Sequence, residues 1–171
     1  LTIANIVEPI YKSRGEWKKQ IGVYEIMARH AFDPARKIEL LHKISELHEI
    51  GGDDSDAAFA TFSRALREDP RNEVTHRQLE RLARGLGKWQ QAAALYDQVA
   101  SDAQEEDLKV ALLFRRAQVQ EHELRDDRAA VETYERVLAA APQTIEAVTA
   151  IQTIHERTGD WPKLVAALTR K

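Results

Sequence analysis

Six histidines and many carboxylates are the residues most able to bind a metal or transfer protons, and their spacing decides whether they could. The histidines are His30, His42, His48, His76, His122 and His155. No two of them stand four residues apart around a Glu, which is the spacing that lets one helix hold zinc. We therefore expect no metal site, and we expect the histidines that fall on core positions to be packed side chains.

The carboxylates and hydroxyls form no recognisable catalytic arrangement either. The acidic runs at 53–56 and 105–107 lie at predicted helix starts, where negative charge favours the positive end of the helix dipole. No Ser or Thr aligns with a His and an acid, and Gly85-Leu86-Gly87-Lys88 lacks the remaining glycine and the preceding strand of a phosphate loop. We expect no enzyme activity and no cofactor.

Three arginines form the one charged pattern that suggests binding. Arg77, Arg81 and Arg84 are spaced by four and three residues, so a helix places them along one side. Guanidinium groups bind carboxylate and phosphate in bidentate fashion, so an acidic or phosphorylated segment could pair with this strip. The alternative is a solvated face, balanced by Glu73 and Glu80, each of which precedes an arginine by four residues.

Composition narrows the class of protein. The chain has 171 residues, of which 43% are hydrophobic and 31% charged, with 25 Lys+Arg against 28 Asp+Glu and a net charge of -3. A nucleic-acid-binding domain needs a basic excess, and a membrane span needs about 18 consecutive apolar residues. Because neither is present, we expect no nucleic-acid partner and no membrane partner. The absence of Cys excludes disulfides and leaves the compartment open.

The elements that position these residues repeat along the chain. The three Trp residues, Trp17, Trp89 and Trp161, are separated by 72 residues, and each follows a Gly by two positions. Pro70 and Pro142 are related by the same shift. The small and aromatic spacing also recurs within each period, so the basic unit is about 36 residues, which is typical of a repeat protein.

Apolar residues recur at spacings of three and four, which predicts helices throughout. Asp-Pro pairs suit helix starts, and Gly15, Gly51-Gly52, Gly87 and Gly159 suit helix ends that need a positive φ. Short connections make neighbouring helices antiparallel hairpins that bury their apolar faces by stacking. We predict an all-α fold, a right-handed α-solenoid of about five hairpins. The predicted helices are 2–14, 17–31, 34–50, 55–68, 72–86, 89–102, 106–123, 127–140, 144–158 and 161–171.

Residues 56–70 carry the strongest family resemblance. Ala58, Phe62, Ala65 and the closing Asp69-Pro70 follow the pattern of the tetratricopeptide repeat family, whose unit of about 34 residues pairs two helices. The same spacing recurs in Ala130, Tyr134, Val137 and Pro142. The chain therefore resembles a divergent array of such repeats over nearly its whole length.

The resemblance implies binding rather than catalysis. Members of this family are mostly scaffolds that hold a peptide or helix of another protein along a concave surface lined by first helices. It also implies that the arginine strip faces this groove, with Lys43 before it and Arg115 after it. The expected site is therefore a peptide groove that favours an acidic partner: Lys43, Arg77, Arg81, Arg84 and Arg115.

The two ends of the chain suggest an alternative function. Residue 1 is Leu, and Ile3, Ile6, Val7 and Ile10 have helical spacing from the start. We therefore expect residues 1–171 to be one repeat domain taken from a longer protein. In the alternative, this domain is a structural spacer or a self-association segment whose apolar ends, which include Leu164 and Leu168, join further repeats or another copy.

Overall fold

Helices form almost all of the part of the chain that the computed structural model describes, residues 2–159. No strand occurs within those residues, so the predicted all-α fold is confirmed. Apart from the end of the seventh helix, which was predicted at 123 and lies at Gln118, their bounds lie within two residues of the predicted ones. The predicted helix at 161–171 lies outside the described residues. The helices are α1 (Thr2–Ser13), α2 (Trp17–Arg29), α3 (Pro34–Gly52), α4 (Ser55–Glu68), α5 (Glu73–Leu86), α6 (Trp89–Asp102), α7 (Glu106–Gln118), α8 (Asp127–Ala140) and α9 (Ile145–Thr158).

Polar residues cap the starts of several of these helices, close to the predicted positions. The Asp33 carboxylate accepts a hydrogen bond from the Ala35 backbone N–H at 3.0 Å, and Pro34 takes the first helical position of α3. At the start of α5, the Asn72 side-chain oxygen accepts from the Thr75 N–H at 3.0 Å. These bonds satisfy backbone donors that have no partner inside the helix, which fixes where each helix starts.

The 72-residue repeat is visible in the backbone as well as in the sequence. Gly15, Gly87 and Gly159 have φ values of 66°, 66° and 71°, the left-handed conformation that glycine adopts without steric cost. Asp53 and Arg125, which are also 72 residues apart, have φ values of 49° and 55°. The same turn therefore recurs at equivalent positions, even where the residue is not glycine.

The prediction that Gly51-Gly52 forms a turn with positive φ is wrong. Both residues belong to the last turn of α3, and the left-handed position falls on Asp53. A Cβ at Gly51 would lie 2.6 Å from Trp17 Cγ, and one at Gly52 would lie 2.9 Å from Trp17 Cη2. The two glycines are therefore required because they let the indole at the start of α2 lie directly against α3.

The second unit of the repeat ends its corresponding helix differently. The predicted helix 106–123 is regular only as far as Gln118, where α7 ends, and it continues as a π-helical turn, Val119–Glu123. The positions equivalent to Gly51 and Gly52 are Glu123 and Leu124. A π-helical turn is an irregularity within the helix, which here precedes the left-handed residue Arg125.

The chain divides into two compact units, with the boundary between Lys88 and Trp89. In the first unit, α1 to α5 pack in order, each against the next, and in the second unit α6 to α9 do the same. In the first unit Arg64 also binds both carboxylate oxygens of Glu25, at 2.6 and 2.9 Å, which ties α4 to α2. That residues 1–171 form a single domain stays a prediction.

Candidate functional site

Each unit contains a groove between two helices that hold equivalent places in the repeat. The first groove lies between α3 and α5, with α4 beneath it, and encloses about 360 Å³. Because α3 and α5 are the first helices of consecutive hairpins, this is the kind of surface on which the sequence analysis placed the binding site. The groove is lined by His42, Glu46, Glu49, Ile50, Phe62, Val74, Gln78 and Arg81.

The floor of the first groove is aromatic and carries one titratable group. The His42 ring lies 5.3 Å from the Phe62 ring, centroid to centroid, and His42 Nε2 is 2.8 Å from Thr75 Oγ1. Thr75 is fully buried, and its hydroxyl donates to Asn72 Oδ1 at 3.2 Å. Burial lowers the pKa of His42, because desolvation penalises the charged imidazolium. The floor is therefore uncharged at neutral pH.

An ion pair crosses the first groove. Arg81 Nη2 on α5 donates to Glu49 Oε2 on α3 at 2.7 Å, and Arg81 Nε donates to Gln78 Oε1 at 2.8 Å. The Arg81 side chain is 51% exposed and that of Glu49 is 23% exposed. Since a guanidinium has five N–H donors, Arg81 retains donors for a ligand while it holds Glu49.

Two apolar side chains of the first groove are exposed. Ile50, near the end of α3, is 86% exposed, and Val74, near the start of α5, is 44% exposed. Both line the same cavity as Arg81. The charge pattern that predicted the site does not indicate them, because both side chains are uncharged. Large exposed apolar groups beside a cavity are a signal of a binding surface.

The other basic residues of the predicted site have varied surroundings. Lys43 pairs with Glu39 on its own helix at 2.7 Å, and its ammonium lies 5.9 Å from the centre of the Tyr24 ring. Arg77 and Arg84 are exposed on α5. Arg115 belongs to the second unit. Of the five predicted residues, Arg81 lines the first groove, and their grouping into one site stays a prediction.

The second groove lies between α7 and α9 and encloses about 420 Å³. Arg115 lines it, in the position that corresponds to Lys43 in the first unit. Asp107 and Glu146 contribute acidic groups, so charges of both signs occur here as well. The second groove is lined by Asp107, Val110, Ala111, Phe114, Arg115, Gln118, Thr144 and Glu146.

A buried polar cluster lies beside the end of α7. The Tyr134 hydroxyl donates to Glu121 Oε2 at 3.0 Å, and both residues are at least 95% buried. Burial raises the pKa of Tyr134, and the neighbouring Glu121 carboxylate adds to the shift. Arg157 Nη2 on α9 lies 3.8 Å from Glu121 and 2.6 Å from Asp127. This cluster holds the π-helical turn that follows α7 together with α8 and α9.

Metal-binding clusters and membrane-spanning helices are both absent from the described part of the chain. Within residues 2–159, no group of three or more His, Asp or Glu side chains is arranged to hold a metal ion. Among the described helices, none combines the length and apolar character that crossing a bilayer requires.

Comparison with known proteins identifies the repeat. Residues 75–109 and residues 111–144 each match a sequence family described as tetratricopeptide repeat. Among curated protein sequences, none matches this one.

Solved structures of similar fold exist. A crystal structure of MamA protein is similar with a TM-score of 0.51 and 15% identity, over 99% of this chain and 88% of that one. A second crystal structure of MamA has a TM-score of 0.50 and 16% identity, over 96% of this chain and 91% of that one. At these identities the similarity shows a shared fold of helical hairpins.

Proposed function

Because this chain is a repeat protein of the tetratricopeptide superfamily, we propose that it is a non-catalytic scaffold that binds a peptide or helix of another protein. Arrays of such repeats generally act in protein interactions, since stacked hairpins form extended binding surfaces. The observation that carries the proposal is the first groove, where exposed Ile50 and Val74 stand beside Arg81. No cofactor, nucleic acid or membrane is part of the proposal.

The exposed apolar pair supplies a reason for a partner to bind. Ile50 and Val74 come from two different helices and border one cavity. Fully burying an aliphatic side chain of this size contributes about 1.5–3 kcal/mol. An apolar side chain of the partner that enters the first groove would cover both residues, and the aromatic floor formed by His42 and Phe62 would contact its end.

The arginines supply a preference for an acidic partner. Arg77, Arg81 and Arg84 share one side of α5, and we propose that Lys43 and Arg115 extend this basic surface. Glu46 and Glu49 line the first groove as well, so a ligand carboxylate must share Arg81 with Glu49. The ligand that fits this chemistry has an apolar residue for the cavity and an adjacent acidic residue for Arg77 and Arg81.

A peptide selection tests this proposal without a known partner. Twelve-residue peptides displayed on phage are selected on the purified chain, and enriched peptides are measured by calorimetry. We expect enrichment of Asp or Glu next to a large apolar residue. We also expect Arg81→Glu to weaken binding by about tenfold or more, because it places a like charge against the ligand and against Glu49.

A matched control is Arg128→Glu. Arg128 is exposed on α8, pairs with Glu132 on its own helix at 3.2 Å, and does not line the first groove. We expect this change to leave peptide affinity unaltered. Equal affinities of wild type and the Arg81 variant for every enriched peptide would exclude the first groove as the binding site.

The alternative function, a spacer or self-association segment, is favoured by the surface of α1. Ile3, Ile6 and Ile10 are 75%, 60% and 42% exposed. Leu164 and Leu168, which the sequence analysis placed at the other end, lie outside the described residues. Light scattering over a range of concentrations tests self-association: a mass that rises with concentration would support it, and a constant monomer mass would contradict it.

A further inference from the structure

Three side chains beneath the first groove form a chain of hydrogen bonds that starts at the cap of α5. The Asn72 side chain accepts a hydrogen bond from the Thr75 backbone N–H at 3.0 Å. A backbone N–H can only donate, so this atom of Asn72 is its oxygen and not its amide nitrogen. The Thr75 hydroxyl lies 3.2 Å from the same oxygen, and it therefore donates to Asn72.

The hydrogen bond from Thr75 determines which nitrogen of His42 carries the proton. A hydroxyl has one proton, and Thr75 gives that proton to Asn72, so Thr75 Oγ1 can only accept a further bond. His42 Nε2 lies 2.8 Å from Thr75 Oγ1 and donates to it. Burial lowers the pKa of His42, so the imidazole is neutral at neutral pH. A neutral ring with its proton on Nε2 has an unprotonated Nδ1, which is a hydrogen-bond acceptor.

The Nδ1 atom of His42 is available to a ligand. Within residues 2–159, Nε2 is the ring nitrogen that has a hydrogen-bond partner. Nδ1 does not belong to the fully buried side-chain atoms of this part of the chain that lack a partner, so solvent reaches it. Because His42 lines the first groove, we infer that Nδ1 offers its lone pair to the groove.

The second groove has no counterpart to this chain of hydrogen bonds. The residues equivalent to His42 and Thr75 are Phe114, which has no ring nitrogen, and Ala147, which has no hydroxyl. Thr75 and Ala147 are both fully buried. A buried hydroxyl is costly unless it is hydrogen-bonded, and alanine packs at the same position without that requirement. The hydroxyl of Thr75 therefore has a specific use, which is to orient His42.

The surroundings of His42 favour an aromatic ligand that carries one hydrogen-bond donor. The groove encloses about 360 Å³, its floor includes the Phe62 ring at 5.3 Å from the His42 ring, and Arg81 lines it as well. Aromatic rings pair with one another, and a guanidinium binds best over the face of an indole. Phe and Leu side chains would leave Nδ1 without a donor, whereas the Trp side chain has a single N–H that can only donate.

We propose that the first groove binds a tryptophan side chain of the partner, whose indole N–H donates to His42 Nδ1. Asn72 and Thr75 are positioning residues, because they act on the ligand through the His42 ring. This inference rests on the proposed function, since it names the partner residue that enters the first groove.

Nitrogen NMR of the histidine rings at neutral pH tests the chain of hydrogen bonds. We expect His42 to carry its proton on Nε2 in the wild type and in Thr75→Ser, which keeps the hydroxyl. Thr75→Val keeps the shape of the side chain but removes the acceptor, so it should give a mixture of both tautomers. A proton on Nδ1 in the wild type, or a single unchanged tautomer in Thr75→Val, would overturn the proposal.

Indole and 1-methylindole test recognition of the donor without a known partner, because the methyl group replaces the N–H. In NMR titrations of the wild type, we expect indole to bind about fivefold more tightly than 1-methylindole and to shift the His42 Nδ1 resonance. His42→Phe, which copies Phe114, should bind the two compounds equally. Equal binding of both compounds to the wild type would overturn the proposal.

The peptide selection separates this inference from the proposed function. Enriched peptides with Trp beside Asp or Glu would support both. Enriched acidic peptides that have Leu or Phe and no Trp would support the proposed function and overturn this inference. Preference for indole in the titrations, without any enriched peptide, would support recognition of an indole by the first groove and contradict the proposed function.

Discussion

The first groove and the second groove lie at the same place in the 72-residue repeat but differ in chemistry. Three pairs of equivalent residues line them: His42 and Phe114, Glu46 and Gln118, Val74 and Glu146. In each pair the backbone position is shared, while charge, polarity or aromatic type changes. The repeat therefore determines which positions line a groove, and the residues at those positions determine the chemistry of the groove.

The arginine strip shows the same contrast. Arg77 and Arg81 on α5 correspond to Thr149 and Thr153 on α9, and Arg84 corresponds to Glu156. The two threonine hydroxyls donate to backbone carbonyls one turn earlier, each at 2.9 Å. The surface equivalent to the strip is thus without positive charge at all three positions in the second unit.

Beneath the grooves, the two units differ by one side-chain hydroxyl, which the second unit has and the first lacks. Glu49 and Glu121 are equivalent, and so are Phe62 and Tyr134. Glu121 is buried and accepts a hydrogen bond from Tyr134, whereas Phe62 has no donor to offer and Glu49 pairs with Arg81 across the groove. The same acid is therefore part of the interior in the second unit and part of the groove lining in the first.

The largest loss of stability is expected from a substitution at the end of α3, where the two units differ most. Gly51→Leu places a side chain where a Cβ alone would be 2.6 Å from Trp17 Cγ, so α2 and α3 must separate. Overpacking of this kind costs about 1–3 kcal/mol, and we expect the upper half of that range. Urea denaturation with hydrogen exchange of α2 and α3 would measure it.

The matched control is Glu123→Leu at the equivalent position of the second unit. Glu123 is exposed, so the free energy of unfolding should change by about 0.5 kcal/mol or less. Similar losses in both variants would show that the glycines are not specific to Trp17 packing.

The second effect concerns the hydroxyl beneath the second groove. Tyr134→Phe makes this site resemble Phe62 and leaves a carboxylate oxygen of Glu121 without its donor in the interior. Loss of a partner to a buried polar group costs about 1–3 kcal/mol. Hydrogen exchange in α8 should report the loss, while Phe62→Tyr in the first unit serves as the reciprocal change and should affect α4 much less.

The pH dependence provides a separate test of the same contact. The folded pKa of Tyr134 is raised above the ordinary value of 10.0, so its contribution to stability is present below pH 10 and is lost as pH rises beyond it. Wild type should lose stability between pH 10 and 11 more steeply than Tyr134→Phe. Parallel curves would contradict the assigned role of the hydroxyl.

Local signals in the sequence predicted the helices well and predicted long-range packing poorly. Apolar spacing and capping residues such as Asp33 act within a few residues, so they predicted the bounds of the described helices to within two positions, except for the end of α7. The requirement for glycine at 51 comes from Trp17, on another helix, and was assigned to a turn instead. Asp53 and Arg125 adopt the left-handed turn without being glycine, and only their shared repeat position could have indicated it.

The candidate site was predictable where it depends on residues of one helix, and not where it depends on contacts between helices. The spacing of Arg77 and Arg81 on one helix predicts a shared face correctly, since helix geometry is local. The partner of Arg81, Glu49, lies 32 residues earlier on α3, so the spacing of acids along α5 does not indicate it. The sequence does not indicate Ile50 and Val74 as residues of the site, because their exposure depends on the packing of α3 and α5.

The third prediction concerns the substitution His42→Phe, which would make the floor of the first groove resemble that of the second. The folded pKa of His42 is lowered by burial, so the unfolded chain binds a proton first as pH falls. The stability associated with His42 is thus complete above pH 6.5 and decreases as pH falls below it. His42→Phe, which copies Phe114, should flatten the dependence of urea midpoint on pH between 7 and 5.

His42 binds at most one proton. The slope of the free energy of unfolding against pH should therefore differ between wild type and His42→Phe by less than about 1.4 kcal/mol per pH unit. Phe114→His is the reciprocal variant and should introduce acid sensitivity in the second unit if its floor excludes water as the first does. A steeper acid loss in His42→Phe than in wild type would contradict the assignment.

The smallest effect is expected from Arg81→Thr, which copies Thr153 and removes the ion pair across the first groove. Because the Arg81 side chain is 51% exposed, the pair should contribute only about 0.2–1 kcal/mol. At 1 M salt the screening length is about 3 Å, so the difference from wild type should shrink there. Affinity for the selected acidic peptides should fall far more than stability does. A large, salt-independent loss of stability would instead make Arg81 a packing residue, and the chemical contrast between the two grooves would then be a consequence of folding rather than of binding.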